Sequence, residues 1–271
     1  MKRKNDKENI IATFDSASAG YDNKALRFFP ESAKHLASYL ELRGDELVLD
    51  VATGTGNAAF ALARDLPTGH ITGIDASEGM LAQAVAKRDR NGIGNVEFRH
   101  MDMETIDFAD DYFDLAVCAF GIFFVKDMQD QLRKISQKVK KGGRVITTSF
   151  HEASFLPQVD IFLGRIQAYE VETSPPAWRA IGTEAKCEAF FRTAGLADVK
   201  SHKQDLSYYL KDTGEWWDFV WNAGYRGLLN QLSAARLEEF KGEHLRDIQE
   251  LISEQGIKVE VHVLYTVGTR A

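Results

Sequence analysis

The sequence contains very little cysteine, and its two cysteines, Cys118 and Cys187, lie far apart without metal-binding spacing. We therefore expect neither a disulfide framework nor a cysteine metal site. The longest apolar run, residues 115–125, has eleven residues, well short of the roughly 20 that cross a bilayer. The amino terminus is polar where a secretion signal needs an apolar stretch. These absences predict a soluble, cytoplasmic protein that does not insert into a membrane.

Clusters of lysine and arginine are also missing outside residues 1–7, and the 271-residue chain carries a net charge of −7. A nucleic acid or an anionic membrane surface repels such a protein over most of its surface. We therefore expect a small-molecule substrate and no nucleic-acid partner. Hydrophobic residues make up 44% of the chain, which is ordinary for a protein with a real core. The length suits one large domain, residues 1–271, better than two.

Short apolar segments alternate with helical patterns over the first 150 residues. Five candidate strands occupy residues 46–51, 70–75, 95–100, 113–119 and 144–150. Strands that alternate with helices predict a parallel sheet with helices on both faces. Residues 197–206 and the alternating segment 257–267 add a sixth and a seventh candidate strand.

Two segments interrupt this alternation. Residues 152–182 carry three of the five prolines and no clear strand, and residues 208–254 are mostly helical and rich in aromatics. Because a strand pattern resumes at 257–267, which is predicted to be the last strand of the sheet, we interpret both segments as insertions. They are predicted to form a cap that contacts the substrate.

A glycine loop follows the first strand and reads Asp50-Val51-Ala52-Thr53-Gly54-Thr55-Gly56. Glycines between a strand and a helix let a ligand approach the backbone closely. From Gly54 onward the loop also fits the G-x-G-x-x-A dinucleotide fingerprint, so the loop alone leaves NAD open. Asp75, nineteen residues after Gly56, suits the ribose hydroxyls of either cofactor.

Asp50 favours a cationic ligand over a dinucleotide. It ends the first strand, where a pyrophosphate would meet a repelling carboxylate. The methionine part of S-adenosylmethionine carries an ammonium and a sulfonium, which acidic surroundings favour. The alternative for Asp50 is a purely structural cap of the loop or helix.

Several segments resemble, in order, the motifs of class I S-adenosylmethionine-dependent methyltransferases. The first motif is matched by VLDVATGTGNAAFAL, the second by ITGIDASEGML, the third and fourth by NVEFRHMDMETIDFADDYFDLAVCAFGIFFVKD, and the turn before the fifth strand by KKGGRVI. AFGIFFVKD and the opening FDSASAGYD are most similar to UbiE-like enzymes, the ubiquinone and menaquinone C-methyltransferase group. The resemblance covers residues 11–150, the predicted cofactor-binding core. Ala52 replaces the usual first glycine, and no quinone-enzyme motif follows residue 151.

The resemblance implies a Rossmann-like α/β fold. Its seven-stranded sheet is mostly parallel with the last strand antiparallel, helices cover both faces, and a helical cap is inserted after strands five and six. It also implies that S-adenosylmethionine, and its product S-adenosylhomocysteine, lie across the carboxyl ends of the first four strands. The residues then expected to bind the cofactor are Tyr21, Asp50, Ala52, Gly54, Gly56, Asp75, Ala76, Met80, Asp102, Met103, Ala119 and Phe120.

The acceptor side offers two further candidates. Trp217, Trp221 and Tyr225 recur at helical spacing, so this aromatic face is predicted either to line an apolar acceptor pocket or to form the cap's own core. His151 directly follows the fifth strand, at the edge where parallel sheets bind ligands, which makes it the candidate general base. The alternative is an exposed loop histidine. No metal-binding pattern is present, so no metal is expected.

Together these features predict an enzyme that transfers the methyl group of S-adenosylmethionine to a small, largely apolar acceptor. One alternative is a non-catalytic S-adenosylmethionine-binding regulatory module, and another is an NAD-dependent oxidoreductase. A methyltransferase acting on protein or RNA is a third, and the absence of a basic stripe counts against RNA.

Overall fold

The computed structural model describes residues 2–271, with side chains from Lys7 onward. Its strands, in chain order, are β1 (Leu47–Val51), β2 (His70–Asp75), β3 (Val96–His100), β4 (Phe113–Ala119), β5 (Val139–Phe150), β6 (Leu196–Asp205), β7 (Tyr208–Leu210), β8 (Ile257–Val259) and β9 (His262–Arg270). Its helices are α1 (Lys2–Ala17), α2 (Phe28–Ser38), α3 (Asn57–Ala63), α4 (Glu78–Arg90), α5 (Met128–Lys138), α6 (Gln158–Ala168), α7 (Glu184–Thr193), α8 (Thr213–Trp221), α9 (Arg226–Leu229) and α10 (Ala234–Gln249).

Seven strands form the central sheet, in the order β3-β2-β1-β4-β5-β9-β6. The pairs among β1 to β5 are parallel, whereas β9 runs antiparallel between β5 and β6. The predicted fold, a mostly parallel seven-stranded sheet with an antiparallel last strand, is therefore confirmed. Strands β1 and β4 are almost entirely buried, which explains their continuous apolar sequences.

The predicted last strand, residues 257–267, is in fact two strands with different partners. β8 pairs with β7 in a separate two-stranded sheet, and only β9 joins the central sheet. Between them the Glu260 and Val261 carbonyls accept hydrogen bonds from Phe155 and Leu206. The chain therefore passes from the cap into the sheet while apolar and polar residues continue to alternate. This alternation alone could not reveal that β8 and β9 pair with different strands.

Strand β5 begins five residues earlier than residue 144, where the sequence predicted its start. Val139 pairs with Phe113 and Arg144 with Leu115, so the pairing register shifts between them. The glycines in this stretch mark the irregularity, since Gly142 has a φ of +78°. The predicted turn is thus a bulge within β5.

Residues 152–182 and 208–254 fold against each other, mainly through α6, α8 and α10. Their shared core contains the aromatic rings of Phe162, Trp216 and Phe240 around the fully buried side chain of His244. The Trp216 indole donates a hydrogen bond of 2.8 Å to Nε2 of His244. Within the described residues, Nδ1 of His244 has no partner.

This histidine should make stability depend on pH. Burial lowers the pKa of His244 to about 4, from 6.5. Below pH 6.5 the unfolded chain therefore binds a proton that the folded protein excludes. The free energy of unfolding should fall between pH 6.5 and about 4, by about 3 kcal/mol from this residue, and this contribution should level off below pH 4. Urea unfolding across this range measures it.

The variant His244→Gln removes this titration while keeping an acceptor for Trp216, so its stability should depend less steeply on pH. The matched variant His35→Gln, on α2, should keep the wild-type slope. Equal slopes for the wild type and His244→Gln would contradict the assignment.

Candidate functional site

A cavity of about 670 Å³, including its open mouth, lies at the carboxyl ends of β1, β2 and β4 beneath α1. We call it the first cavity. Ten of the twelve residues predicted to bind the cofactor line it, namely Tyr21, Ala52, Gly54, Asp75, Ala76, Met80, Asp102, Met103, Ala119 and Phe120. The order of motifs along the chain thus brings these residues together in space.

The other two residues lie elsewhere. Asp50 lines an adjoining space that shares Tyr21, Ala52 and Gly54 with the first cavity. Gly56 is not among the residues that line either space, and its expected cofactor contact stays a prediction. It has a φ of +84°, and a Cβ there would lie 2.7 Å from the Phe60 ring. Gly56 is therefore required by the turn and by packing.

Ala52 occupies the position of the usual first glycine and adopts a left-handed φ of +55°. Its extra methyl group faces Gly121, where a Cβ would come within 2.7 Å of the Ala52 Cβ. Gly121 also lines the first cavity, and no sequence motif had singled it out. The missing side chain at position 121 makes room for the added one at position 52.

The Asp75 carboxylate joins the glycine loop to the start of α4. Its two oxygens accept hydrogen bonds from the backbone N–H groups of Gly54, at 2.8 Å, and Ser77, at 2.9 Å. Burial raises the pKa of Asp75, and these two hydrogen bonds oppose that rise. Asp75 thus fixes the loop while facing the first cavity.

Asp50 is a buried carboxylate, only 1% exposed, with one unsatisfied oxygen. Oδ2 accepts a hydrogen bond of 2.6 Å from the Thr53 hydroxyl, and Oδ1 has no partner within the described part of the chain. Burial raises the pKa of Asp50 to about 7, the Thr53 hydrogen bond lowers it, and the nearby Asp75 charge raises it. A cationic donor such as an ammonium would satisfy this oxygen, so the residues present fit the amino-acid end of S-adenosylmethionine.

Helix α1 supplies an apolar wall whose residues were not among those expected to bind the cofactor, although Phe14 opens the motif FDSASAGYD. Ile10, Ile11 and Phe14 line the first cavity. The helix is attached to the start of α4 through Asp15, whose Oδ1 accepts hydrogen bonds from the Ser77 hydroxyl, at 2.6 Å, and the Gly79 N–H, at 2.9 Å. These contacts hold α1 over the cavity.

The carboxylate of Asp102 is already engaged by its surroundings. Asp102 forms an ion pair with Lys7 of α1, which also contacts Glu104 at 2.7 Å. Asp102 also accepts a hydrogen bond of 2.9 Å from the Glu104 N–H. Asp102 therefore helps to hold α1 in place as well as lining the cavity.

A second cavity, of about 970 Å³ including its open mouth, lies between the sheet edge and the cap. Tyr225 lines it, together with Phe150 from the end of β5 and Phe219 from α8. Most of its other walls are aromatic too, formed by Phe14, Tyr21, Phe28, Phe29, Phe120, Phe123, Phe124, Phe155 and Trp178.

Trp217 and Trp221 are not among the residues that line this cavity, which favours the alternative that they form part of the cap's own core. They stack on each other at 5.7 Å, with Lys241 over Trp217 and Arg226 over Trp221. Phe219 is two residues from Trp217 and so about 200° around the helix, on the opposite face. The tryptophans therefore belong to the packing of the cap.

His151 also lies away from both cavities. Phe150 faces the second cavity, and the next side chain along an extended chain points to the other side. Nδ1 of His151 accepts a hydrogen bond of 3.2 Å from the Ala153 N–H, and burial and the Lys203 charge lower its pKa. His151 is thus not among the residues that line either cavity, and its role as general base stays a prediction.

Comparison with known proteins agrees with this geometry. The methyltransferase domain family matches residues 48–143. The ubiquinone/menaquinone biosynthesis C-methyltransferase UbiE of Bdellovibrio bacteriovorus is 30% identical over 222 residues, which cover 71% of this chain and 94% of that protein. The aklanonic acid methyltransferase DauC of a Streptomyces species is 29% identical over 176 residues, 64% of this chain and 80% of that protein.

The same fold is found in the YcgJ protein from Bacillus subtilis, whose crystal structure matches with a TM-score of 0.60 at 21% identity, over 89% of this chain and 98% of that one. The sheet order and the cavity at its carboxyl edge agree with the architecture expected of class I methyltransferases. The chain belongs to the UbiE-like group of class I S-adenosylmethionine-dependent methyltransferases.

The protein is therefore an enzyme that uses S-adenosylmethionine as its methyl donor, and this family membership favours methyl transfer over the oxidoreductase alternative. Within residues 2–271, none of the helices combines the length and apolar character needed to cross a bilayer.

Proposed function

We propose that this enzyme methylates a small, largely apolar acceptor bound in the second, aromatic cavity. The observation that carries the proposal is that the two cavities share Phe14, Tyr21, Phe120 and Phe124 in their walls. A molecule in the aromatic cavity would therefore lie next to the cofactor. Apolar ring surfaces favour an acceptor with little charge.

The cofactor is proposed to occupy the first cavity. Asp75 would accept hydrogen bonds from the ribose, and Asp50 would pair with the ammonium group. The adenine would lie among apolar side chains that include Ile10, Met80 and Met103, all of which line the cavity.

S-adenosylmethionine supplies a methyl group activated by a cationic sulfur, and the sulfur keeps the electron pair of the broken S–C bond when the acceptor takes the methyl. The contribution of the protein is to align the acceptor and to exclude water, which lowers the barrier without a covalent intermediate. Helix α1 covers the first cavity, and the rings of the second cavity exclude water from the acceptor.

Calorimetry with S-adenosylmethionine, S-adenosylhomocysteine and NAD tests the cofactor assignment. We expect binding of the first two and none of NAD. Mass spectrometry of metabolite extracts incubated with the enzyme and isotopically labelled donor then identifies the product. Intermediates of ubiquinone and menaquinone biosynthesis and aklanonic acid are the first acceptors to test, because relatives are named for them. Donor binding without any labelled product would favour the regulatory-module alternative.

Partly filling the second cavity should weaken binding of the acceptor without changing binding of the cofactor. Gly224 lines its mouth, and a Cβ there would meet nothing within 4 Å. A phenylalanine at this exposed position should therefore add a ring beside the cavity without a steric clash. We expect Gly224→Phe to raise the acceptor KM about tenfold, a loss of about 1.4 kcal/mol, while the Kd for S-adenosylmethionine stays unchanged.

Gly164→Phe is the matched control, because Gly164 is exposed on α6 and its Cβ position is equally open. It should leave both constants unchanged. An unchanged acceptor KM in Gly224→Phe would place the acceptor outside this cavity.

Replacing His151 should have little effect on catalysis. Its side chain lies outside both cavities, so we expect His151→Ala to retain turnover to within about threefold. Loss of a general base would instead lower turnover by about 10²–10⁴. Steady-state kinetics, with the acceptor that mass spectrometry identifies, distinguishes these two outcomes. A loss of turnover of about 10²–10⁴ in His151→Ala would support His151 as the base.

A further inference from the structure

Four aromatic residues line both cavities and so mark the junction where the two meet, and we call them the aromatic collar: Phe14, Tyr21, Phe120 and Phe124. The first two belong to the amino-terminal segment, and the other two follow β4. The Phe14 ring lies 6.3 Å from the Tyr21 ring and 5.0 Å from the Phe124 ring, nearly perpendicular to both.

Neighbouring rings support the collar from the second cavity. Phe29 stacks on Tyr21 at 4.9 Å and contacts Phe120 edge-on at 5.3 Å. Phe120 in turn stacks on Phe150 at 4.6 Å. The collar is therefore part of a continuous aromatic assembly whose ring positions are fixed by packing.

The collar's chemistry matches one feature of the methyl donor. Aromatic faces carry partial negative charge and attract cations, most strongly where water is excluded. S-adenosylmethionine carries a sulfonium cation, whereas S-adenosylhomocysteine carries a neutral thioether at the same position. Both carry the same ammonium, carboxylate, ribose and adenine groups. A ring at the junction can therefore distinguish them only through the sulfonium and its methyl group.

We propose that the aromatic collar holds the sulfonium and its methyl group by cation–π attraction, and so makes the site prefer the charged donor to its neutral product. This inference rests on the proposed placement of the cofactor in the first cavity. The preference would hold the donor in place before transfer and favour release of the product afterwards.

The test compares the Kd values of the two ligands in variants that replace a ring by an aliphatic side chain. In Phe14→Leu and Phe124→Leu, calorimetry should show that S-adenosylmethionine binds about 5- to 30-fold more weakly, the fold-change that corresponds to about 1–2 kcal/mol. Binding of S-adenosylhomocysteine should change by less than about twofold.

Two controls separate the ring from other effects. Tyr21→Phe keeps the ring and should keep the wild-type ratio of the two Kd values, whereas Tyr21→Leu should lower the preference for the donor. Phe108→Leu changes a half-buried phenylalanine outside both cavities and should leave both Kd values unchanged.

The outcomes distinguish this inference from the proposed function. Equal weakening of both ligands in the leucine variants would show that the rings only shape the site, and would overturn the collar proposal. Failure of the wild type to bind either ligand would instead overturn the cofactor placement, and the collar with it.

Discussion

Replacing Asp75 by alanine should weaken S-adenosylmethionine binding by about 10- to 100-fold. The ribose would lose a hydrogen-bonded carboxylate, a loss of about 1–3 kcal/mol for a charged partner. The same change frees the Gly54 and Ser77 N–H groups that the carboxylate now holds, so the loop should also become less well ordered. Calorimetry measures the affinity, and circular dichroism checks that the fold persists.

Asp89→Ala is a suitable control, because Asp89 is an exposed carboxylate on α4, away from the cavity. Its affinity for the cofactor should equal that of the wild type. If Asp75→Ala also bound normally, the ribose would have to lie elsewhere.

Cofactor affinity should also fall steeply as the pH drops below about 7. Burial raises the pKa of Asp50 to about 7 in the free protein. Only the ionised carboxylate can pair with the ammonium group of the cofactor. Below this pH, Asp50 must therefore lose a proton before the cofactor binds. The Kd should therefore rise about tenfold for each pH unit below 7, to about 100-fold at pH 5.

Asp50→Asn tests the origin of this dependence. The amide cannot ionise, so the variant should bind more weakly at pH 8 and its Kd should not vary with the ionisation of this group. A wild-type slope that survived in Asp50→Asn would assign the pH dependence to another residue.

Much of the central sheet could be predicted from the sequence because β1, β2 and β4 are largely buried and read as short, mostly apolar runs, although the edge strand β3 is partly exposed. Residues 113–119 were predicted as a strand with the bounds that β4 has. The change of partner between β8 and β9 could not be predicted, since both strands alternate in the same way. Pairing is a long-range property that a local pattern does not contain.

On the cofactor side, Asp50, the glycine loop and Asp75 could be singled out from the residues, and the other cofactor residues were implied by the resemblance to class I methyltransferases. Residues such as Asp75 and Ala119 end strands, and the ends of parallel strands meet at one edge of the sheet. Ile10 and Ile11 come instead from a helix that crosses this edge, and no quoted motif contains them. The helix is held over the cavity by Asp15, which contacts the start of α4, and by the ion pairs of Lys7 with Asp102 and Glu104.

On the acceptor side the sequence did not indicate the orientation of the side chains, and of the three predicted aromatic residues only Tyr225 lines the second cavity. Trp217 and Phe219 lie on the same helix, and the sequence shows an aromatic face without showing which way it points. The larger tryptophans pack within the cap, and Phe219 faces the cavity. The end of β5 at Phe150 was predicted correctly. Successive side chains of an extended chain point to opposite sides, so Phe150 faces the second cavity and His151, the next residue, does not.

The position of β9 has a consequence for how the protein is made. This strand follows all the others in the chain yet lies between β5 and β6, and Val263, Leu264 and Tyr265 in it are fully buried. During synthesis on the ribosome, β6 therefore has no place in the sheet until β9 has emerged. The cofactor half of the sheet can assemble earlier, whereas the β6 edge must wait for nearly the whole chain.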